Sequence, residues 1–301
     1  MKPSKLMRAM TCDGSARVLV IDSTAIVNEA IRVHGTAPTA SAALGRLLTA
    51  ASMLGSMMPE AQDSLTVGIN GQGSIGKLIA VSDYYGNVRG YIENPLADPP
   101  RRPDGKINVG GAVGEGILYV IRDTGNGEPQ TGMTAIRSGE IAEDIAAYYA
   151  ESEQVPTVCA LGVLIDRDCT CRAAGGILIQ LMPFPDEATV AKLEENAARL
   201  TNVSGMVDSG MTLMDMMNVA LDGIAFDPFD EIEVDYLCTC TRDRMLRGIH
   251  TLGRAEILDM LNEQEAEGKP RELTAVCRFC RQNYVFGQTE LLSESKKGEE
   301  E

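Results

Sequence analysis

Four cysteines near the C-terminus carry the clearest chemistry in the sequence. Cys238 and Cys240 lie in Leu237-Cys238-Thr239-Cys240, and Cys277 and Cys280 in Val276-Cys277-Arg278-Phe279-Cys280. The first pair is CxC and the second CxxC, with 36 residues between them. Each pair can place two sulfurs on one small ion, and two pairs complete the tetrahedral four-thiolate geometry of structural zinc. CxxC bends into a knuckle readily. CxC is tighter than the about two to four intervening residues usual for zinc ligands. Ordinary buried cysteines or permanent disulfides are the plain alternative, but two close pairs in a core-poor segment favour one Zn2+.

Such thiolates are also reactive. Arg242, Arg244, Arg278 and Arg281 lie close to them in sequence, and a bound zinc holds thiolates deprotonated. An oxidant can attack them, and the neighbours within CxC and within CxxC are positioned to close disulfides, Cys238–Cys240 and Cys277–Cys280. A disulfide across a single residue is expected to be strained and easily reduced again, as a reversible sensor requires. The residues read as a zinc-stabilised redox switch, with a purely structural zinc knob as the rival. His250, ten residues past Cys240 within a helical pattern, is not expected among the ligands.

The module that must position these sulfurs runs over 237–287. Its pattern predicts helices over Arg242–Ile249 and Arg254–Asn262, the second with Ile257, Leu258 and Leu261 on its apolar face. A knuckle and a strand through Tyr284, Val285 and Phe286 follow. Some fifty residues with so few large apolar groups can scarcely fold on packing alone. A four-thiolate zinc contributes roughly 10–16 kcal/mol in such units, and that binding energy is folding energy.

The 301 residues are expected to form two domains. Aromatics are scarce, with no Trp, so Leu, Ile, Val, Ala and Met must fill the core. A net charge of −16 argues against nucleic acid or an anionic membrane as partner. No apolar h-region follows the basic N-terminus and no apolar run reaches ~18 residues. A cytoplasmic setting is expected, where thiols stay reduced. Eight cysteines there point to metal or redox chemistry rather than to a disulfide scaffold.

Upstream, residues 1–184 read as one α+β domain of mixed or antiparallel strands with helices. A first strand is expected from about Met10 to Ile21, carried by Ala16–Ile21 and entered through the turn Cys12-Asp13-Gly14-Ser15, then a helix over Thr24–His34. A longer helix covers Ala40–Met58, with Thr39 as N-cap, and its Gly45, Ala50, Ala51 and Gly55 would let another element approach closely. Asn70-Gly71-Gln72-Gly73-Ser74-Ile75-Gly76 contains GxGxxG after a strand, but a dinucleotide fingerprint must open a helix. Here β-like Lys77–Asp83 follows, so a hairpin loop is expected. Further strands are expected over Ile107–Gly111 and Ile117–Arg122, a helix over Glu140–Ser152, and a hairpin of Leu161–Ile165 with Gly175–Leu181. No Ser/His/Asp triad, acidic dyad or Walker loop emerges, and His34 reads as a cap or packing residue; the chain is not expected to be an enzyme.

Residues 185–236 form an acidic, Met-rich helical linker. Twelve acids between Pro185 and Asp235 face only Lys192 and Arg199, and Gly205, Gly210, Gly223 and Pro228 divide the pattern. Its Met206, Met211, Met214, Met216 and Met217 suit either adaptable binding or packing on the first domain. Residues 288–301 read as a charged tail, disordered from Ser293 on.

With these residues in place, the sequence resembles a family: the redox-regulated holdase chaperones called heat shock protein 33. Besides the CxC and CxxC, the likeness rests on Asp13-Gly14-Ser15 and His34-Gly35-Thr36-Ala37-Pro38-Thr39. It also rests on Ala43-Leu44-Gly45-Arg46-Leu47-Leu48, Gly86-Asn87-Val88-Arg89-Gly90-Tyr91, Ser138–Asp144 and Ala173-Ala174-Gly175-Gly176. The resemblance implies that Cys238, Cys240, Cys277 and Cys280 hold zinc when reduced. On oxidation Cys238 would pair with Cys240 and Cys277 with Cys280, zinc would leave, and the linker would unfold. The activated protein, commonly a homodimer in the family, would hold unfolding client proteins without ATP. A thiol-disulfide oxidoreductase or a zinc-dependent adaptor are the other readings. Cys12, Cys159, Cys169 and Cys171 depart from the family's usual pattern, the last two as a second CxC.

Overall fold

The computed structural model describes residues 2–125 and 127–293. The chain forms two units that meet at Leu237/Cys238. The first opens on β1 (Ser4–Thr11) and β2 (Ala16–Asp22), followed by α1 (Thr24–His34) and α2 (Pro38–Gly55). Next come β3 (Ser64–Gly71), β4 (Lys77–Asp83), β5 (Val88–Ile92), α3 (Val109–Val113), β6 (Gly116–Asp123) and β7 (Gln130–Ala135). After α4 (Ala142–Tyr148), β8 (Thr157–Ile165) and β9 (Cys171–Leu181) form a hairpin. Last are α5 (Glu187–Ala197), α6 (Val203–Asp208), α7 (Leu213–Ala220) and β10 (Phe226–Val234).

The strands make two five-stranded sheets, ordered β10-β1-β2-β9-β8 and β5-β4-β3-β6-β7. The strand pairs within them are antiparallel. Helix α2 packs on strands of both sheets, and 16 of its 18 residues are buried. Its small residues make that possible: a Cβ on Gly55 would sit 2.1 Å from Ser82 Oγ. The N-cap is Ala37 with Pro38 in the first turn, not Thr39. Thr39 lies inside the helix and donates its N–H to Asp98 Oδ1 at 3.2 Å.

GxGxxG is a hairpin loop between β3 and β4. Gly73 N–H donates to Val113 O and Ile75 N–H to Ala112 O, both on α3. A Cβ on Gly73 would lie 2.2 Å from Ala112 O, so close backbone approach, not a phosphate, explains that glycine. The expected strand over Ile107–Gly111 is absent. Asn108 instead caps α3 by accepting the Gly111 N–H, turning the chain into a short helix. Strands β1 and β7 were not anticipated, because Met7–Met10 and Gln130–Ala135 carry little β-branched apolar residue. The helix expected over Glu140–Ser152 starts at Ala142 and passes into a π-turn over Tyr149–Glu153.

Strand alternation gives the first sheet two buried faces. Leu6, Leu19, Ile21, Ala174 and Leu178 face the main core with α2. Met7, Val18, Val20, Ile177 and Ile179 face the opposite way and are covered by Leu193, Leu200, Val203, Leu213, Met216 and Met217. The helices of segment 185–236 therefore lie on the outer face of the first sheet. The segment is not helical throughout: β10 pairs antiparallel with β1 at the sheet edge. The alternation Ile232, Val234, Tyr236 between acids carries the strand, with Ile232 half-buried and the other two buried. Lys5 and Arg8 of β1 pair with Glu231 and Asp230.

The second unit comprises α8 (Arg242–His250), α9 (Arg254–Ala266), β11 (Glu272–Val276), β12 (Asn283–Gly287) and α10 (Gln288–Leu292). Strands β11 and β12 pair antiparallel. Its core is small: Ile257, Leu261, Leu273, Phe286 and Leu291. Residues 288–292, expected within the tail, instead form α10 and bury Leu291. The remainder of that tail, 294–301, lies outside the described residues.

Candidate metal centre

The CxxC lies in the turn between β11 and β12. Cys277 N–H donates to Gln282 O and Arg281 N–H donates to Cys277 O, each at 2.9 Å. Arg281, at φ 62°, turns the chain back into β12 in the left-handed region. Cys238-Thr239-Cys240 runs without regular structure into α8, whose N-cap Thr241 accepts the Arg244 N–H at 3.2 Å. One extended segment and one hairpin turn thus present two sulfurs each.

The structure brings all four predicted residues together. Their Sγ atoms lie within 4.8 Å of one another. Two close approaches run between the motifs: Cys238 to Cys277 at 3.7 Å and Cys240 to Cys280 at 3.3 Å. Tetrahedral zinc with Zn–S about 2.3 Å sets its sulfurs about 3.8 Å apart, so the donor set and its spacing fit such an ion. All four thiols are free, and Cys277 is buried. The cluster can hold a metal ion.

Without a counter-ion two of these thiols, Cys238 and Cys280, resist ionising. Burial is the largest cause raising Cys238, and the neighbouring sulfurs add to it. Burial likewise raises Cys280. Burial opposes ionisation of Cys240 too, yet hydrogen bonds from Tyr284 and the other thiols leave its pKa lowered. A divalent cation reverses this by stabilising every thiolate at once. Arg242 stacks its guanidinium 4.5 Å from the Phe286 ring centroid and pairs with Glu290 at 2.7 Å. It ties α8 to β12 and α10.

Tyr284 was missed by sequence reasoning. Its hydroxyl lies 3.2 Å from Cys240 Sγ and 3.4 Å from Cys240 O, and the bond to Cys240 pushes the phenol up to about 12. The signal was available: period two along β12 puts Tyr284 and Phe286 on one face.

The other cysteines form no comparable cluster among the described residues. Burial pushes Cys159 and Cys171 up to about 12, which makes them poor nucleophiles. Cys169 is exposed in the β8–β9 turn at φ 66°, and Cys171 is buried on β9. The exposed Cys12 thiol lies 3.5 Å from Asp227 Oδ2 and is raised by desolvation and by that carboxylate. His250 stands outside the four-sulfur group. His34 is buried, with Nε2 2.9 Å from Gly90 O and 3.1 Å from the Tyr236 hydroxyl, and it precedes the left-handed C-cap Gly35.

A family model described as Hsp33 protein matches residues 4–287. The chain belongs to the Hsp33 family. It is 41% identical over 288 residues to a 33 kDa chaperonin of Clostridioides difficile, covering 95% of this chain and 97% of that relative. It is also 41% identical over 286 residues to a 33 kDa chaperonin of Lachnoclostridium phytofermentans, covering 95% and 96%. The crystal structure of the 33 kDa chaperonin of Thermotoga maritima, a heat shock protein 33 homologue, superposes with a TM-score of 0.87. That likeness is at 30% identity and covers 96% of this chain and 97% of the other. These relatives are named as chaperonins, a non-enzymatic class. Among the described residues, no helix is long and apolar enough to cross a membrane.

Proposed function

We propose that this Hsp33 family member is a cytoplasmic, ATP-independent holdase. One Zn2+ on Cys238, Cys240, Cys277 and Cys280 holds it inactive, and oxidation switches it on. The observation that carries this reading is the convergence of four free thiols in a unit whose core, among the described residues, has five buried apolar side chains. Such a unit depends on its ion for folding, so losing the ion loses the fold.

Oxidation pairs Cys238 with Cys240 and Cys277 with Cys280, and the site gives up its ligands. Unfolding of residues 238–292 frees the adjoining segment 185–236. That segment covers Val18, Val20, Ile177 and Ile179 of the first sheet. Its release exposes apolar surface that attracts unfolding clients at ~25 cal/mol per Å2, while the acidic residues keep the loaded complex soluble. The partners are unfolding proteins and, when oxidised, a second copy of the chain. A net charge of −16 disfavours nucleic acid and anionic membranes.

A thiol-disulfide oxidoreductase finds less support, since its CxxC would sit in a βαβ context and here it lies in an antiparallel hairpin. The test is treatment with peroxide and mild heat, with zinc release and aggregation of a denatured model protein followed together. The reading expects aggregation to be suppressed as zinc leaves. Unchanged aggregation after zinc is gone contradicts it.

A further inference from the structure

We propose that Tyr284 governs how readily the four-sulfur site yields to an oxidant, because its phenol hydrogen-bonds the Cys240 sulfur and damps that thiolate's nucleophilicity. The inference rests on the functional reading above and deepens it by naming a positioning residue for the switch.

Tyr284 is placed for this by the β11–β12 register. It lies opposite Ala275, two residues before Cys277, on the hairpin that carries the CxxC. Its hydroxyl nevertheless reaches Cys240, which belongs to the CxC, at 3.2 Å. The ring is half-buried and packs against the small core of Ile257, Leu261, Leu273, Phe286 and Leu291. The phenol thus joins the two halves of the ligand set and is held there by packing. Toward a metal-bound sulfur, which carries no proton, the hydroxyl can only donate. Partners of this kind orient metal ligands and tune their reactivity, and their loss changes affinity or activity by about 10- to 100-fold.

With hydrogen peroxide, the Cys240 thiolate takes one oxygen. The O–O bond breaks, an S–O bond forms, and hydroxide leaves to become water on protonation. The Cys238 thiolate then displaces a second hydroxide from the sulfenic sulfur, forming the S–S bond. Two electrons pass from the two sulfurs to the peroxide, and two protons from solvent complete two waters. A hydrogen bond to Cys240 ties up the electron pair that makes the first attack, so removing it speeds that step.

The experiment uses the full, reduced, zinc-loaded chain and a chromophoric zinc chelator to time metal release after peroxide. It compares the unaltered protein with Tyr284→Phe, which keeps the ring, and with 3-fluorotyrosine at 284, a stronger donor on the same ring. Amide exchange over 272–287 is read in parallel. The proposal expects release about tenfold faster in Tyr284→Phe, slower release with 3-fluorotyrosine, and unchanged amide exchange. Equal or slower release in Tyr284→Phe overturns it. So does faster release accompanied by loosened β11–β12 amides, because the role is then packing. Should Tyr284→Phe fail to hold zinc, the fluorinated protein decides: release as fast as in the unaltered chain, or faster, overturns the proposal. If the unaltered chain carries no zinc, or keeps it after oxidation, the functional reading itself has failed.

Discussion

Truncating Met217 to alanine should open the linker without touching a thiol. Met217 and Met216 on α7 have no exposed surface and sit in the cluster with Val18, Val20, Ile177 and Ile179. Deleting a fully buried methionine side chain costs about 2–5 kcal/mol. The lower end applies if the adaptable neighbours Met206, Met211 and Met214 slide into the gap. Helices α5, α6 and α7 have 11, 6 and 8 residues. All fall below the ~12–15 that a helix needs to persist alone, so they depend on the sheet beneath them. The loss therefore falls on docking of the whole segment. At about 1.4 kcal/mol per tenfold, the undocked population rises between about thirtyfold and a few thousandfold. The assay is amide exchange over 187–220 in the reduced, zinc-loaded protein, with aggregation suppression measured without peroxide. Met133→Ala on β7, where Met133 is 61% exposed, is the control. Exchange and holdase activity should both rise in Met217→Ala with zinc content unchanged. Unchanged exchange over 187–220 would refute the reasoning. Faster exchange spread equally through α2 and β3 with no gain in activity would do the same.

Other consequences concern the frame that holds this segment. Hydrogen bonds from Thr11, the Ser15 amide and Thr189 hold the Asp13 carboxyl well below the usual carboxylate range. Thr189 Oγ1 donates to Asp13 Oδ2 at 2.7 Å, and the Asp186 N–H donates to Ser15 Oγ at 2.9 Å, so the β1–β2 turn fastens the start of α5. A folded pKa below the unfolded ~3.9 contributes stability that is full above that value and is lost as pH falls toward the folded one. Proteolysis near Glu187 should accelerate only below about pH 4, and Asp13→Asn should flatten that dependence; an unaltered acid profile in the variant argues against the fastening. Asp144, fully buried, accepts N–H groups from Arg137, Ser138, Gly139 and Ile141. Asp144→Ala strands these donors and should cost at least about 3 kcal/mol in urea unfolding, and a shift below about 1 kcal/mol would mean that water replaces the carboxylate.

Legibility in the sequence followed the strength of the local signal. The CxC and CxxC were readable because paired thiols so close in sequence stay together in any fold, and the structure brings those four sulfurs within 4.8 Å of one another. The α2 helix was readable from apolar spacing, and the GxGxxG loop from the β-like residues that follow it. Strand β10 was hidden by its charge: Asp227, Asp230, Glu231 and Glu233 dominate its composition, while apolar alternation survives only in Ile232 and Val234. Helix α3 was misread because Asn108 and two glycines make a capped turn that apolar periodicity does not encode. For Tyr284 the sequence showed only half of the answer: period two sets its face with Phe286, but its partner Cys240 lies 44 residues away and only the folded hairpin brings the phenol to it.

The most direct test is a count of zinc and free thiols on the purified reduced chain, repeated after peroxide at mild heat, with circular dichroism recorded alongside. The account predicts one zinc and eight reactive thiols per denatured reduced chain. After oxidation it predicts no zinc, four fewer thiols, and lost structure. A reduced chain that is free of metal yet fully ordered over 238–292, or an oxidised chain that keeps its zinc, would contradict it.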